Sequence, residues 1–197
     1  MRKGARTREA IVDTAAQIFS VKGFCGTSID DLVEAIGMSK GAIYSHFQCK
    51  EDIFYAVLEK AGRMIQDKVG PFVNAEEHAC DRLLGMMRGH KAYAEDRVFA
   101  GGCLILNSAV EVDDVHEGFR GKIGEGLTSW RRWVVGIVEK GKTRGQIKKE
   151  VDPEELATLI ISSLMGAMLQ YKTFSDLRFY DQTYRFFESY FASQVRA

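Results

Sequence analysis

A chain of 197 residues with 46% hydrophobic and 27% charged content has the make-up of a globular protein, either one large domain or a small and a medium one. Its 27 basic and 27 acidic residues leave a formal net charge of +0, which excludes a polycation, so a basic surface has to be local, as at Arg2, Lys3, Arg6 and Arg8. No run approaches the roughly 20 apolar residues of a membrane span, and the basic N-terminus leads into an amphipathic stretch without a signal-peptide core. Four scattered cysteines (Cys25, Cys49, Cys80, Cys103) show neither CxxC nor a histidine at ligand spacing, so they read as cytosolic thiols with no metal and no cofactor.

Taken in order, residues 6–22 predict a helix that Thr7 can cap, with Ile11, Val12, Ala15, Ile18 and Phe19 on its inner face. Thr27 or Ser28 can cap a second helix with Asp30 and Asp31 in its first turn, where the helix dipole favours acids. Ile29, Leu32, Val33 and Ile36 form its buried stripe, and Gly37 supplies the positive φ that ends it. Ser39 caps a third helix whose inner face is Ile43 and Phe47 and whose outer face is Lys40, Gly41, Ala42, Ser45 and His46. A short helix with an apolar back and a low polar front, set against a second helix by a tight turn, is a helix-turn-helix suited to a DNA major groove. The unit is small for independent stability at about 45 residues, so it leans on the next helix. That helix, residues 50–69, carries Ile53, Val57, Ala61 and Ile65 and is closed by Gly70-Pro71.

Residues 76–93 predict a weaker helix, and Gly101-Gly102 breaks the chain before a short apolar helix over 103–112. Residues 111–114 read as a loop. Residues 119–144 predict a helix whose glycines each cost about 1 kcal/mol against alanine, so its first half is expected to be poorly formed or kinked. Asp152 as N-cap, Pro153 at the first helical position and Glu155 open a helix to Thr173 that is apolar nearly all round. A last helix covers about residues 180–194 with Tyr184, Phe186, Phe187, Tyr190 and Phe191.

The motif G-F-x-G-T-S from Gly23, followed by I-G-M-S-K-G-A-I-Y-S-H-F-x-x-K-E-D from Ile36, resembles the DNA-binding domain of the TetR (tetracycline-repressor-like) family of transcriptional regulators. The resemblance covers about the first quarter of the chain and implies Lys40, Ala42, Ser45 and His46 at base edges, Gly41 permitting close approach, and Ser39 at the helix start. It further implies phosphate contacts for Tyr44, Lys50 and Thr27; a half-buried core phenol is the competing reading of Tyr44. Gly102, Cys103 and Leu104 with Asn107 and Glu111 resemble one branch of the family, some of whose members answer to oxidants or electrophiles through the thiol. Lys172 is a candidate neighbour for Cys103, and Cys49, at a helix N-terminus beside Lys50, is a second candidate redox thiol. Against both stands an ordinary structural cysteine.

The family layout also implies an effector pocket, for which Phe72, Met86, Met87, Tyr93, Cys103, Asn107, Phe119, Trp130, Trp133, Met165, Met168 and Tyr171 are the available residues; for most of them singly the alternative is plain core. The last two helices carry more apolar surface than one chain buries, so a homodimer is expected through Leu156, Leu159, Ile160, Ser163, Gly166, Tyr184, Phe187 and Phe191. The expectation is an all-α fold of about nine helices. Residues 1–49 form the DNA-binding domain and 50–197 the regulatory domain, with helix 50–69 as the connecting lever. Its partners are an operator duplex, a second copy and a small-molecule effector, with no membrane. A cytoplasmic, ligand- or thiol-responsive regulator, with repression the expected mode, competes with a small helical dimeric enzyme or binding protein whose helix-turn-helix is non-functional; no P-loop, zinc, dinucleotide or nucleophile-elbow motif supports the enzyme.

Overall fold

Nine α-helices make up the regular structure of the described residues, 3–111 and 117–197 of the computed structural model, together with a π-helical turn at Phe191–Val195 and an antiparallel bridge between Ile147 and Arg196. Arg2 and the Lys3 side chain of the basic arm, residues 112–114 of the expected loop, and His116 lie outside the described residues. The helices are α1 (Lys3–Lys22), α2 (Ile29–Ile36), α3 (Lys40–Tyr44), α4 (Lys50–Asn74), α5 (Ala79–Glu95), α6 (Leu104–Glu111), α7 (Glu117–Thr143), α8 (Pro153–Phe174) and α9 (Arg178–Tyr190). No helix among the described residues is long and apolar enough to cross a membrane.

The chain gathers into two compact units, one of residues up to Met64 with Val98–Glu125, the other of Ile65–Arg97 with Gly126–Ala197. The first therefore extends beyond residues 1–49, because the helix-turn-helix shares its core with the start of α4, with α6 and with the start of α7. Phe24, Phe54 and Phe119 lie within 5.0 Å of one another, centroid to centroid, and Phe19 packs edge-on to Phe54 at the same distance. Phe119 is fully buried in this cluster, so it is core here. Its burial and that of Ile123 explain why α7 runs unbroken from Glu117 despite its glycines, contrary to the expected weak first half. Thr7 lies inside α1, which begins earlier than the cap reading assumed.

In the second unit α8 and α9 pack on each other and both on α5. α4 continues through Gly70-Pro71 to Asn74, against the expectation that the pair would close it. Proline removes only one hydrogen bond so near the helix end, and the last turn is held against α5, where a Cβ on Gly85 would strike the Phe72 carbonyl and one on Gly89 would crowd Val69. Asp152 caps α8 as expected, accepting from the Glu154 and Glu155 amides at 2.8 and 3.0 Å. Leu156, Ile160, Phe187 and Phe191 are buried within the chain, so of the residues assigned to a dimer face they are monomer core. Leu159 remains exposed, joined by Leu169, Phe174 and Phe186, which the sequence reading had not placed there.

Candidate nucleic-acid interface

The α1–α2 turn is built by Gly23, whose φ of 73° only glycine adopts without strain. Ser28, not Thr27, caps α2: its hydroxyl accepts from the Asp31 amide at 3.0 Å while Asp31 accepts from the Ser28 amide at 2.7 Å, a closed capping box. Lys22 pairs with Asp31 at 2.6 Å, and that bond, with those from Ser28, holds the Asp31 carboxyl far below the usual carboxylate range. Leu32 is the buried anchor of α2, and Gly37 at φ 69° turns the chain into α3.

Ser39 accepts from the Ala42 amide at 3.2 Å and starts α3. Ile43 and Phe47 are buried behind it, and Arg8 of α1 lies over the Phe47 ring at 4.7 Å. Ser39, Lys40, Gly41, Tyr44 and Ser45 are exposed, and Ala42 and His46 half so. The Ser45 hydroxyl donates to the Ala42 carbonyl at 2.7 Å, and Lys40 stands 3.6 Å from Asp30, a loose pair with both partners in solvent. A cavity of about 440 Å³ beside this face is lined by Arg8, Tyr44, His46 and Asp52 among others. Two residues assigned to phosphate point elsewhere. Thr27 is 1% exposed and donates its hydroxyl to the Gly23 carbonyl at 2.6 Å. The Lys50 ammonium donates to the carbonyls of Phe24 and Thr27 at 2.9 and 2.8 Å and lies over the Phe24 ring, so the turn consumes it.

The Cys49 thiol is not an activated one. The Asp52 amide favours its thiolate, but burial, a hydrogen bond with Glu51 and the negative charges of Asp52 and Glu51 outweigh it and raise the thiol pKa. The expected activation by Lys50 is missing because its ammonium is turned to the Phe24 and Thr27 carbonyls. Cys103 is half-buried and heads α6, its carbonyl accepting from the Asn107 amide at 3.1 Å. Asn107 is a structural link: its amide nitrogen donates to the carbonyls of Ser20 and Gly101 at 3.3 and 3.0 Å. Cys103 and Asn107 belong to the first unit and Lys172 to the second.

Of the other pocket residues, all in the second unit, Met86, Met87, Tyr93 and Met168 are buried and Phe72, Trp130, Trp133, Met165 and Tyr171 half-buried. Trp130 donates from its indole nitrogen to the Met86 sulfur at 3.3 Å, and the Tyr171 hydroxyl accepts from Arg97 at 3.1 Å. Sequence reasoning assigned nothing to His90, yet its ring stacks on Trp130 at 4.6 Å, one helical turn beyond Met86. The i, i+4 spacing from Met86 was the available signal.

A capped helix pair with a polar, solvent-facing second helix defines a helix-turn-helix DNA-binding protein with an all-helical companion unit. The family model described as bacterial regulatory proteins, tetR family, matches residues 11–57, and that of the tetracyclin repressor-like C-terminal domain matches residues 79–187. The chain belongs to the TetR family of transcriptional regulators. It is 34% identical to a TetR transcriptional regulator of solved structure from Chloroflexus aurantiacus J-10-FL, at a TM-score of 0.94 with 100% of this chain and 99% of that one covered. The transcriptional repressor DhaR of Mycobacterium sp. strain GP1 is 26% identical over 85% of this chain and 84% of its own length. The reduced form of NemR from Escherichia coli, at 22% identity, shares the fold with a TM-score of 0.82 over 98% and 97% of the two chains.

Proposed function

We propose that the chain is a repressor that binds a near-palindromic operator as a homodimer and is released by a small-molecule effector or by thiol modification. The observation that carries the operator reading is the front of α3, where Lys40, Gly41, Tyr44 and Ser45 are exposed while Ile43 behind them is fully buried. Lys40 and His46 supply the base-edge contacts, with Ser39, Ala42 and Ser45 beside them, and Tyr44 reaches phosphate. Two such helices enter successive major grooves about 34–36 Å apart.

Family regulators bind their operators as dimers. In this chain the exposed Leu159, Leu169, Phe174 and Phe186 of α8 and α9 are the surface a second copy covers. α4 contributes its first half to one compact unit and its second half to the other, which supports its role as lever. Cys103, half-buried at the head of α6, is the thiol candidate, and the relative NemR has a form described as reduced. The test is to let the protein select duplexes from a random-sequence pool and to titrate the selected duplex with and without diamide. A coupling of about 3 kcal/mol weakens binding more than a hundredfold. Loss of binding with diamide in the parent but not in Cys103→Ser supports thiol release; loss in both removes Cys103 from the reading. Failure to select any sequence refutes the operator reading itself.

A further inference from the structure

The α1–α2 turn is gripped by side chains from two other helices, one of each charge. On its carbonyl side stands Lys50, the first residue of α4. On its amide side stands Glu111, the last residue of α6, whose Oε2 accepts from the Phe24 amide at 3.0 Å and Oε1 from the Cys25 amide at 2.8 Å. Consecutive amides after a left-handed residue form a small anion cradle, and here the anion is built into the chain. Gly23 is required twice over: its φ is 73°, and a Cβ on it would overlap the Glu111 carboxylate.

The Glu111 carboxylate thus makes two charge-assisted bonds to the turn. The rest of the segment is fastened to α1 in the same manner. Gln17 donates to the Val98 carbonyl at 3.0 Å and accepts from the Ala100 amide at 3.2 Å. The Ser20 hydroxyl accepts from the Gly101 amide at 3.1 Å, and Asn107 donates to the Ser20 carbonyl at 3.3 Å.

We propose that Glu111 is a positioning residue for operator recognition: its carboxylate fixes the angle at which the chain leaves α1, and through it the setting of α2 and α3. The proposal rests on the reading of α3 as the base-contacting helix. It also gives α6 a direct route to the DNA-binding turn. Both bonds are near 3 Å, so a displacement of α6 by about 1 Å breaks them, and the thiol at the head of that helix is Cys103.

The test compares the full-length parent with Glu111→Gln and Glu111→Ala on two duplexes, the one the parent selects from a random pool and a scrambled duplex of the same length. Glutamine keeps the shape and one acceptor oxygen; alanine keeps neither. The active fraction of each protein is fixed beforehand by stoichiometric titration. The expected result is a loss of affinity for the selected duplex of about tenfold, or about 1.4 kcal/mol, in Glu111→Ala and less in Glu111→Gln. Affinity for the scrambled duplex stays within about twofold of the parent, since non-specific binding is set by phosphate charge. Faster hydrogen exchange at the Phe24 and Cys25 amides accompanies the loss. Unchanged affinity for the selected duplex overturns the proposal, and so does an equal loss on both duplexes, which marks a merely structural residue. A parent that selects no duplex refutes the operator reading and not the geometry of the turn.

Discussion

His90 makes the second unit acid-sensitive by an amount the structure sets. Its ring is 7% exposed and stacked on Trp130, with planes 20° apart, and burial lowers its pKa from 6.5 to about 4. Because the folded value is depressed, the unfolded chain takes up a proton between those limits that the folded chain refuses. Stability is therefore complete above the unfolded value and falls as the pH drops from about 6.5 towards 4. The full gap amounts to about 3 kcal/mol, of which about 2 kcal/mol is already lost at pH 5. Urea unfolding of the parent and of His90→Phe at about pH 7.5 and pH 5, at one protein concentration, isolates the effect. Phenylalanine keeps the stack and cannot charge, so its stability difference between the two pH values should be smaller than the parent's by about 2 kcal/mol. His78, whose pKa burial and the Arg196 charge also lower, is present in both proteins and cancels. Equal pH differences in the two proteins would refute the argument, as would a His90 imidazole resonance that titrates near pH 6.5.

Two further outcomes follow from the turn and the capping box. Lys50→Met leaves the Phe24 and Thr27 carbonyls without their charged donor and should lower urea-measured stability by about 2 kcal/mol; a loss under about 0.5 kcal/mol would show that water replaces it. Asp31→Asn removes the ion pair with Lys22, so its melting temperature should lie below the parent's at neutral pH. Since the folded pKa of Asp31 is depressed, that deficit persists above about pH 4 and closes as the pH falls towards the folded value; a deficit that persists in strong acid would assign it to lost packing.

Much of the first unit was legible because its signals are local. A capping box, a left-handed glycine and an apolar stripe are each fixed by residues within four positions of one another, and Ser28, Gly37 and Leu32 play the parts their spacing implies. What was misread depends on partners distant in sequence. Lys50 and Thr27 look like phosphate contacts in a motif, and only the fold reveals that Phe24 and Gly23 already occupy them. The glycines of α7 suggested a weak helix, because the burial of Phe119 against Phe24 and Phe54 is invisible from the helix itself. Leu156 and Phe187 were assigned to a partner surface because a helix apolar all round does not reveal which side its own chain covers.

The engagement of Lys50 also bears on how the interface recognises DNA. A chain with a formal net charge of +0 has no excess of cations, and several of those in this unit are engaged by neighbouring groups. Lys22 is bonded to Asp31, Lys50 to two carbonyls, and Lys40 stands near Asp30. Among the described residues Arg6 and Arg8 remain at the start of α1, and Arg8 is held over Phe47, against the back of α3. Counterion release scales with the number of phosphates neutralised, so the proposed operator contacts should show a shallower salt dependence than those of a strongly basic domain. On the proposed reading of α3 as the base-contacting helix, the balance comes from fit, which depends on the setting of five residues. That explains why so much side-chain chemistry in this unit is spent on fixing one turn: a carboxylate on its amides, an ammonium on its carbonyls and a glycine that leaves room for the carboxylate.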